Sequence, residues 1–106
     1  MTKMIDKNAF AQLEKNAEQA ESLLKALSNK HRLMILCLLE EGELSVSQLN
    51  DQIRISQSSL SQNLAWLRRE QYVKTRRDAQ TIFYRLNDAN VSKIIHVLHS
   101  IFCQPG

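Results

Sequence analysis

Glycine and proline are nearly missing from this chain of 106 residues. It has two Gly and one Pro, and Gly42 is the only one of the three that precedes the terminal Pro105-Gly106 pair. Chains made of many short strands use these residues at their turns, so a many-stranded all-β protein is excluded in favour of long helices joined by few tight turns. Cysteine is also scarce: Cys37 and Cys103 lie far apart and form no Cys-x-x-Cys pair, which excludes a zinc knuckle. No apolar run reaches the ~18 residues that would suggest a membrane-crossing helix. The opening Met1-Thr2-Lys3-Met4-Ile5-Asp6-Lys7 lacks the apolar stretch of a secretory signal. The expected location is therefore the cytoplasm, where structural disulfides are rare. Enzyme signatures are missing too, with no Gly-rich phosphate loop, no metal cluster and no nucleophile–base pair.

What is present is ordinary in amount and uneven in placement. The length suits a single domain spanning residues 1–106, with residues 1–8 and 104–106 expected to be flexible ends. A domain of this size buries only about two-thirds of its unfolded surface, so support from a partner subunit is expected. The net charge is +3, but residues 1–53 carry six basic and eight acidic side chains, while residues 54–106 carry eight basic and three acidic. A basic half on a small helical domain is either a solvated face or a surface for nucleic acid or another polyanion.

Periodicity supplies the elements. Phe10, Leu13, Ala17, Ala20, Leu24 and Leu27 recur at spacings of three and four, predicting an amphipathic helix from Phe10 to Leu27. Ser28 is expected to cap a second helix from Asn29 to Glu41, ending at Gly42. Its middle, Leu33 to Leu39, is apolar on every face and is expected to be the buried centre of the domain. Ser45 and Gln48 form a capping-box pattern opening a third helix with Val46, Leu49 and Ile53 inward. Ser56 is expected to cap a fourth helix running to Gln71. Two short helices with a tight link are the signature of a helix-turn-helix. Strands are predicted at Val73–Arg77 and Thr81–Leu86, forming one hairpin, and Asp88 or Asn87 caps a last helix through Val91, Ile94, Ile95, Leu98 and Phe102. The predicted class is mainly α with one β-hairpin: a winged helix-turn-helix in the order four helices, two strands, one helix.

The fourth helix places Leu60, Leu64 and Leu67 on one side and Ser58, Ser61, Gln62 and Arg69 on the other. The first turns of such a helix meet base edges in the major groove, where Ser and Gln can donate and accept. The hairpin holds Lys74, Arg76, Arg77 and Arg85 against a single Asp78, a charge pattern suited to phosphates or a narrow minor groove. The expected DNA-contacting set is Gln57, Ser58, Ser59, Ser61, Gln62, Arg69, Lys74, Arg76, Arg77 and Gln80.

Ordered blocks along nearly the whole chain carry a resemblance. Leu24-Lys25-Ala26-Leu27-Ser28-Asn29-Lys30-His31-Arg32-Leu33, Glu43-Leu44-Ser45-Val46-Ser47-Gln48-Leu49, Ser56-Gln57-Ser58-Ser59-Leu60-Ser61-Gln62-Asn63-Leu64 and Phe83-Tyr84-Arg85-Leu86 resemble the ArsR/SmtB family of bacterial winged-helix repressors. That resemblance implies a homodimer packed through the first and last helices, repression by occupying operator DNA, and release when an effector is sensed. Two-fold symmetry would set the two reading helices about one DNA turn (~34 Å) apart on a palindromic site.

The family's metal sites do not carry over. Ser45 and Ser47 stand where one site has cysteines, and of Asp88, Asn90, Ile101 and Gln104 at the other only the aspartate fits. His96 and His99 at i, i+3 are too few ligands, and His31 is remote in sequence. No metal or cofactor is therefore expected. Taken alone, Cys37 reads as a small buried hydrophobe and Cys103 as incidental. Together, in Ile35-Leu36-Cys37 and Ile101-Phe102-Cys103-Gln104, they resemble the sulfur-sensing BigR/SqrR/HlyU-like branch, as do Leu64-Ala65-Trp66-Leu67-Arg68 and Arg77 to Tyr84. That resemblance implies a dithiol sensor of reactive sulfur species. The rival readings are a regulator of the same family answering another oxidant, a metal or no ligand, and a winged helix that serves only protein interaction.

Overall fold

The computed structural model describes residues 6–103. Among them, five helices and three strands follow in the order α1 (Lys7–Leu27), α2 (Lys30–Glu40), β1 (Leu44–Ser45), α3 (Val46–Gln52), α4 (Gln57–Arg69), β2 (Val73–Asp78), β3 (Thr81–Leu86) and α5 (Ala89–Phe102). The α3–α4 pair followed by the β2–β3 hairpin is the predicted winged helix-turn-helix.

One hydrophobic cluster unites the described elements. Ile35, Leu36 and Leu39 of α2, Leu49 and Ile53 beside α3, Leu60, Leu64 and Leu67 of α4, Val73 of β2, and Val91 and Ile95 of α5 are all buried in it. The α4 leucines recur at spacings of four and three, so one stripe of that helix is spent on the core and the opposite stripe stays wet. Ser45 caps α3 as a full capping box: its hydroxyl accepts from the Gln48 N–H at 3.1 Å, and the Gln48 side chain accepts from the Ser45 N–H at 2.8 Å.

Several boundaries differ from expectation. Asp6 caps α1, which begins at Lys7 rather than at Phe10; residues 1–5 and 104–106 lie outside the described residues. Asn29, not Ser28, caps α2, accepting from the His31 and Arg32 N–H groups, while the Ser28 hydroxyl turns back to the Lys25 carbonyl and closes α1. Asn is as good a cap as Ser, and the tight α1–α2 link leaves room for only one of them at that position. The α2 helix is not buried all round. It packs one side on the core and leaves Leu33, Cys37 and Leu38 half-buried and Met34 exposed. A short third strand, β1, pairs Leu44 with Tyr84 and Ser45 with Phe83, giving the sheet order β1-β3-β2.

The α4 helix stops at Arg69 because Gln71 turns left-handed, with φ 66°. The Gln71 N–H donates to the Arg68 carbonyl and the Tyr72 N–H to the Leu67 carbonyl, the Schellman closure that usually employs glycine. Ala79, at the hairpin tip, is also left-handed at φ 57°. The chain thus makes its tight turns with residues that pay a steric penalty, which is how it manages with so little glycine.

Candidate nucleic-acid interface

The reading helix presents its polar side as the leucine stripe requires. Gln57, Ser58, Ser61 and Gln62 are exposed on α4, and Arg69 is exposed at its end. Ser59 is half-buried and serves the helix itself: its N–H donates to the Ser56 hydroxyl at 3.1 Å, and its carbonyl accepts from the Asn63 amide at 2.9 Å. The Ser58 hydroxyl pairs with that of Ser56 at 3.2 Å, so Ser56 serves both the helix cap and the polar face.

The wing approaches this helix through a shallow groove formed by Val46, Ser61, Leu64, Ala65, Arg68, Arg69 and Tyr84. Arg68 was not among the residues expected to meet DNA. It lies seven positions after Ser61, two helical turns on, and that spacing is the sequence signal that would have found it. The hairpin tip, with Gln80, Thr81 and Ile82, lies over Ser45, Val46 and Ser47 at the start of α3.

Strand alternation divides the basic residues of the hairpin. The register pairs Val73 with Leu86, Thr75 with Tyr84 and Arg77 with Ile82 on one face, and Lys74 with Arg85 and Arg76 with Phe83 on the other. The first face carries Tyr84 and so looks towards the reading helix. The second borders an open cleft of about 760 Å³ in which Lys74, Arg76 and Arg85 meet Glu40, Glu43 and Asp88. Arg76 is bound there: its Nε donates to both Glu43 carboxylate oxygens at 2.8 and 2.9 Å, and an Nη lies 2.7 Å from Oε1. These bonds push the Arg76 guanidinium further above its already high ordinary value. Of the expected set, then, Arg77 shares the face turned towards α4, and Gln80 sits at the tip. Lys74 and Arg76 lie on the reverse face.

The two thiols are free and lie on the two helices, α2 and α5, that pack on each other. Cys37 is half-buried on α2 against the core, and Cys103 is exposed at the C-cap of α5. Burial pushes the Cys37 thiol above its ordinary value, with further contributions from the negative charges of Cys103 and Glu40. Cys37 is consequently a protonated thiol near neutral pH, and it is within electrostatic reach of Cys103. A bond from the Ser92 hydroxyl to Glu40 at 2.7 Å ties α5 to α2 at the other end of the same interface.

Ser45 and Asp88, the two family metal positions with polar side chains in the structure's capping scheme, are both occupied as N-caps. His96 and His99 are exposed on α5, and His31 is half-buried at the start of α2. Among the described residues, no three His, Cys, Asp or Glu side chains gather closely enough to hold a metal ion. None of the described helices is long and apolar enough to cross a membrane.

Comparison with known proteins agrees with this geometry. A family model described as bacterial regulatory protein, arsR family, matches residues 29–75. The transcriptional activator HlyU of Vibrio cholerae serotype O1 is 50% identical over 93 residues, covering 88% of this chain and 86% of that protein. The biofilm growth-associated repressor of Xylella fastidiosa is 47% identical over 91 residues, covering 86% and 80%. Among solved structures, reduced HlyU from Vibrio cholerae N16961 superposes with a TM-score of 0.84 at 50% identity, covering 88% of this chain and 98% of that one. The transcriptional repressor BigR from Xylella fastidiosa gives 0.82 at 45% identity, covering 90% and 97%. The chain belongs to the arsR family of bacterial regulatory proteins and is a DNA-binding transcriptional regulator, not an enzyme.

Proposed function

We propose that this regulator is a dimeric cytoplasmic repressor, one domain serving both DNA binding and dimerisation, which is released from a palindromic operator when reactive sulfur species oxidise or crosslink Cys37 and Cys103. The observation that carries the reading is the electrostatic nearness of the two thiols across the α2–α5 packing. Support for a dimer comes from the apolar faces that the single chain leaves open: Phe10, Leu13 and Leu24 on α1, and Val97, Ile101 and Phe102 on α5.

The chemistry suits the two environments. Cys103, the exposed thiol, attacks as thiolate on the outer sulfur of a low-molecular-weight persulfide RS–SH, giving Cys103–S–SH and releasing the thiolate RS⁻. Cys37 then loses its proton to solvent and attacks the inner sulfur, forming the Cys37–Cys103 disulfide and expelling HS⁻. Two protein thiols are oxidised, and the persulfide is reduced to a thiol and hydrogen sulfide. A further sulfane sulfur inserted before closure lengthens the bridge and relaxes the ~7 Å limit on the Cα separation of a plain disulfide. Either bridge ties α5 to the helix behind the reading head and lowers operator affinity, a hundredfold loss corresponding to ~2.7 kcal/mol.

The test treats the reduced protein with persulfide or with peroxide and follows intact mass, operator binding and an operator-driven reporter. The expected result is a mass consistent with an internal bridge, loss of binding and derepression, all abolished in Cys37→Ser and Cys103→Ser. If those variants lose affinity under treatment as fully as the parent does, the switch lies elsewhere.

A further inference from the structure

The wing is usually regarded as a set of cations offered to DNA, but one of its cations is already spent. We infer that Arg76 is a positioning residue: its bidentate pair with Glu43 and its seat on Phe83 latch the wing to the root of the helix-turn-helix, and it does not contact phosphate. The inference rests on DNA binding by the family and is independent of the thiol switch.

The geometry converges from three sides. Glu43 lies in the link between α2 and β1, three residues before α3 begins, while Arg76 is in the middle of β2, thirty-three residues along the chain. The fork of three contacts at 2.7–2.9 Å satisfies both carboxylate oxygens from one guanidinium plane. The far side of that plane is covered too, since the Arg76 Cζ lies 4.5 Å from the ring centroid of Phe83, its cross-strand partner. The Glu43 side chain is 25% exposed and that of Arg76 50%, so the Glu43 side of the pair is the better shielded from competing water.

The latch also stands on the wrong face for a phosphate contact. Arg76 shares its side of the ladder with Lys74 and Arg85, bordering the cleft with Glu40 and Asp88, while Arg77 shares the opposite side with Tyr84. For Arg76 to reach a phosphate it would have to abandon Glu43, leaving that carboxylate uncompensated beside a polyanion. A bond holding the hairpin at one angle relative to β1 and α3 instead fixes where Arg77 and Gln80 arrive when α4 enters the groove. An Arg→Lys change here keeps the charge but loses the fork.

The experiment titrates the full chain against a 30-base-pair duplex, recovered by selecting a random DNA pool on the parent protein, at a series of salt concentrations. Arg76→Gln and Glu43→Gln are each expected to weaken binding about three- to tenfold with the salt slope of the parent. The exchanged pair, Glu43→Arg with Arg76→Glu, is expected to recover to within about threefold of the parent, whereas Arg76→Glu alone does not. A phosphate contact would behave otherwise. Arg76→Gln would lower the slope by ~0.9, Glu43→Gln would tighten binding, and the exchanged protein would bind no better than Arg76→Glu. Any of those three results overturns the inference, as does the absence of any effect from either single change.

Discussion

Arg32 holds the end of α1 against the reading helix: its guanidinium carbon lies 4.2 Å from the ring centroid of Trp66 on α4, while Nε and an Nη donate to the Ala26 and Lys25 carbonyls at 3.1 and 2.9 Å. Trp66 in turn stacks on Tyr72 with ring centroids 6.2 Å apart. One side chain therefore closes the C-terminal carbonyls of α1, sits in the first turn of α2 and packs on α4. Arg32→Ala is expected to destabilise the fold by about 1–3 kcal/mol through loss of the cation–π contact and two charge-assisted bonds. Arg32→Lys should lose less, keeping the charge without the planar fork. Urea midpoints of the two variants check this, and an unchanged midpoint in Arg32→Ala would refute it.

The left-handed residues give a prediction of opposite sign. Gln71→Gly and Ala79→Gly each relieve a steric penalty, offset in part by the greater freedom of glycine in the unfolded chain. The net expectation is a gain of about 0.5–1 kcal/mol per site, read as a rise in Tm.

The open apolar faces predict the assembly state. Phe102 is 78% exposed in the single chain and Ile101 57%, on the same helix as Val97. Ile101→Asp with Phe102→Asp is expected to sediment as a monomer at concentrations where the parent sediments as a dimer. Retained helical circular dichroism in the variant would show that the change acts on association and not on the fold.

The raised Cys37 value predicts how that thiol responds to pH. Because the folded state favours the protonated thiol, the associated stability is fully present below the ordinary thiol value and is lost as pH rises through the folded value. The parent is therefore expected to lose stability more steeply with alkaline pH than Cys37→Ser does. In Cys103→Ser, alkylation of Cys37 should show a pH inflection lower than in the reduced parent, since one negative neighbour has gone. It should stay above the ordinary thiol value, because burial, the larger cause, remains.

Base reading and phosphate contact separate by salt. Gln62→Ala, on the exposed side of α4, is expected to relax discrimination at one base pair by about 1–3 kcal/mol with little change in salt slope. Arg77→Gln is expected to weaken binding uniformly across sequences and to lower the slope by ~0.9. Competition titrations with single-substituted duplexes at several salt concentrations distinguish the two.

Local interactions were legible in the residues themselves. The Ser45–Gln48 capping box, the Leu60, Leu64 and Leu67 stripe, the Thr81–Leu86 strand and the Asp88 cap all involve neighbours within a turn or a ladder step, and their spacing states the geometry. The scarcity of glycine and proline foretold a helical chain with one hairpin for the same reason. What remained hidden was non-local. A two-residue strand such as β1 has no period to read, and exists only because β3 supplies its hydrogen bonds. The choice of Asn29 over Ser28 as cap depended on how tightly α1 and α2 are joined.

The charge of the wing shows the division most clearly. That residues 54–85 are rich in Lys and Arg, and that β2 and β3 alternate their faces, follows from the sequence alone. That Arg76 would meet Glu43, leaving Arg77 on the side of the reading helix, was decided by the tertiary structure, because those partners are thirty-three residues apart. The same holds for Cys37 and Cys103: the sequence supplies two lone thiols, and only the packing of α5 on α2 puts one within electrostatic reach of the other.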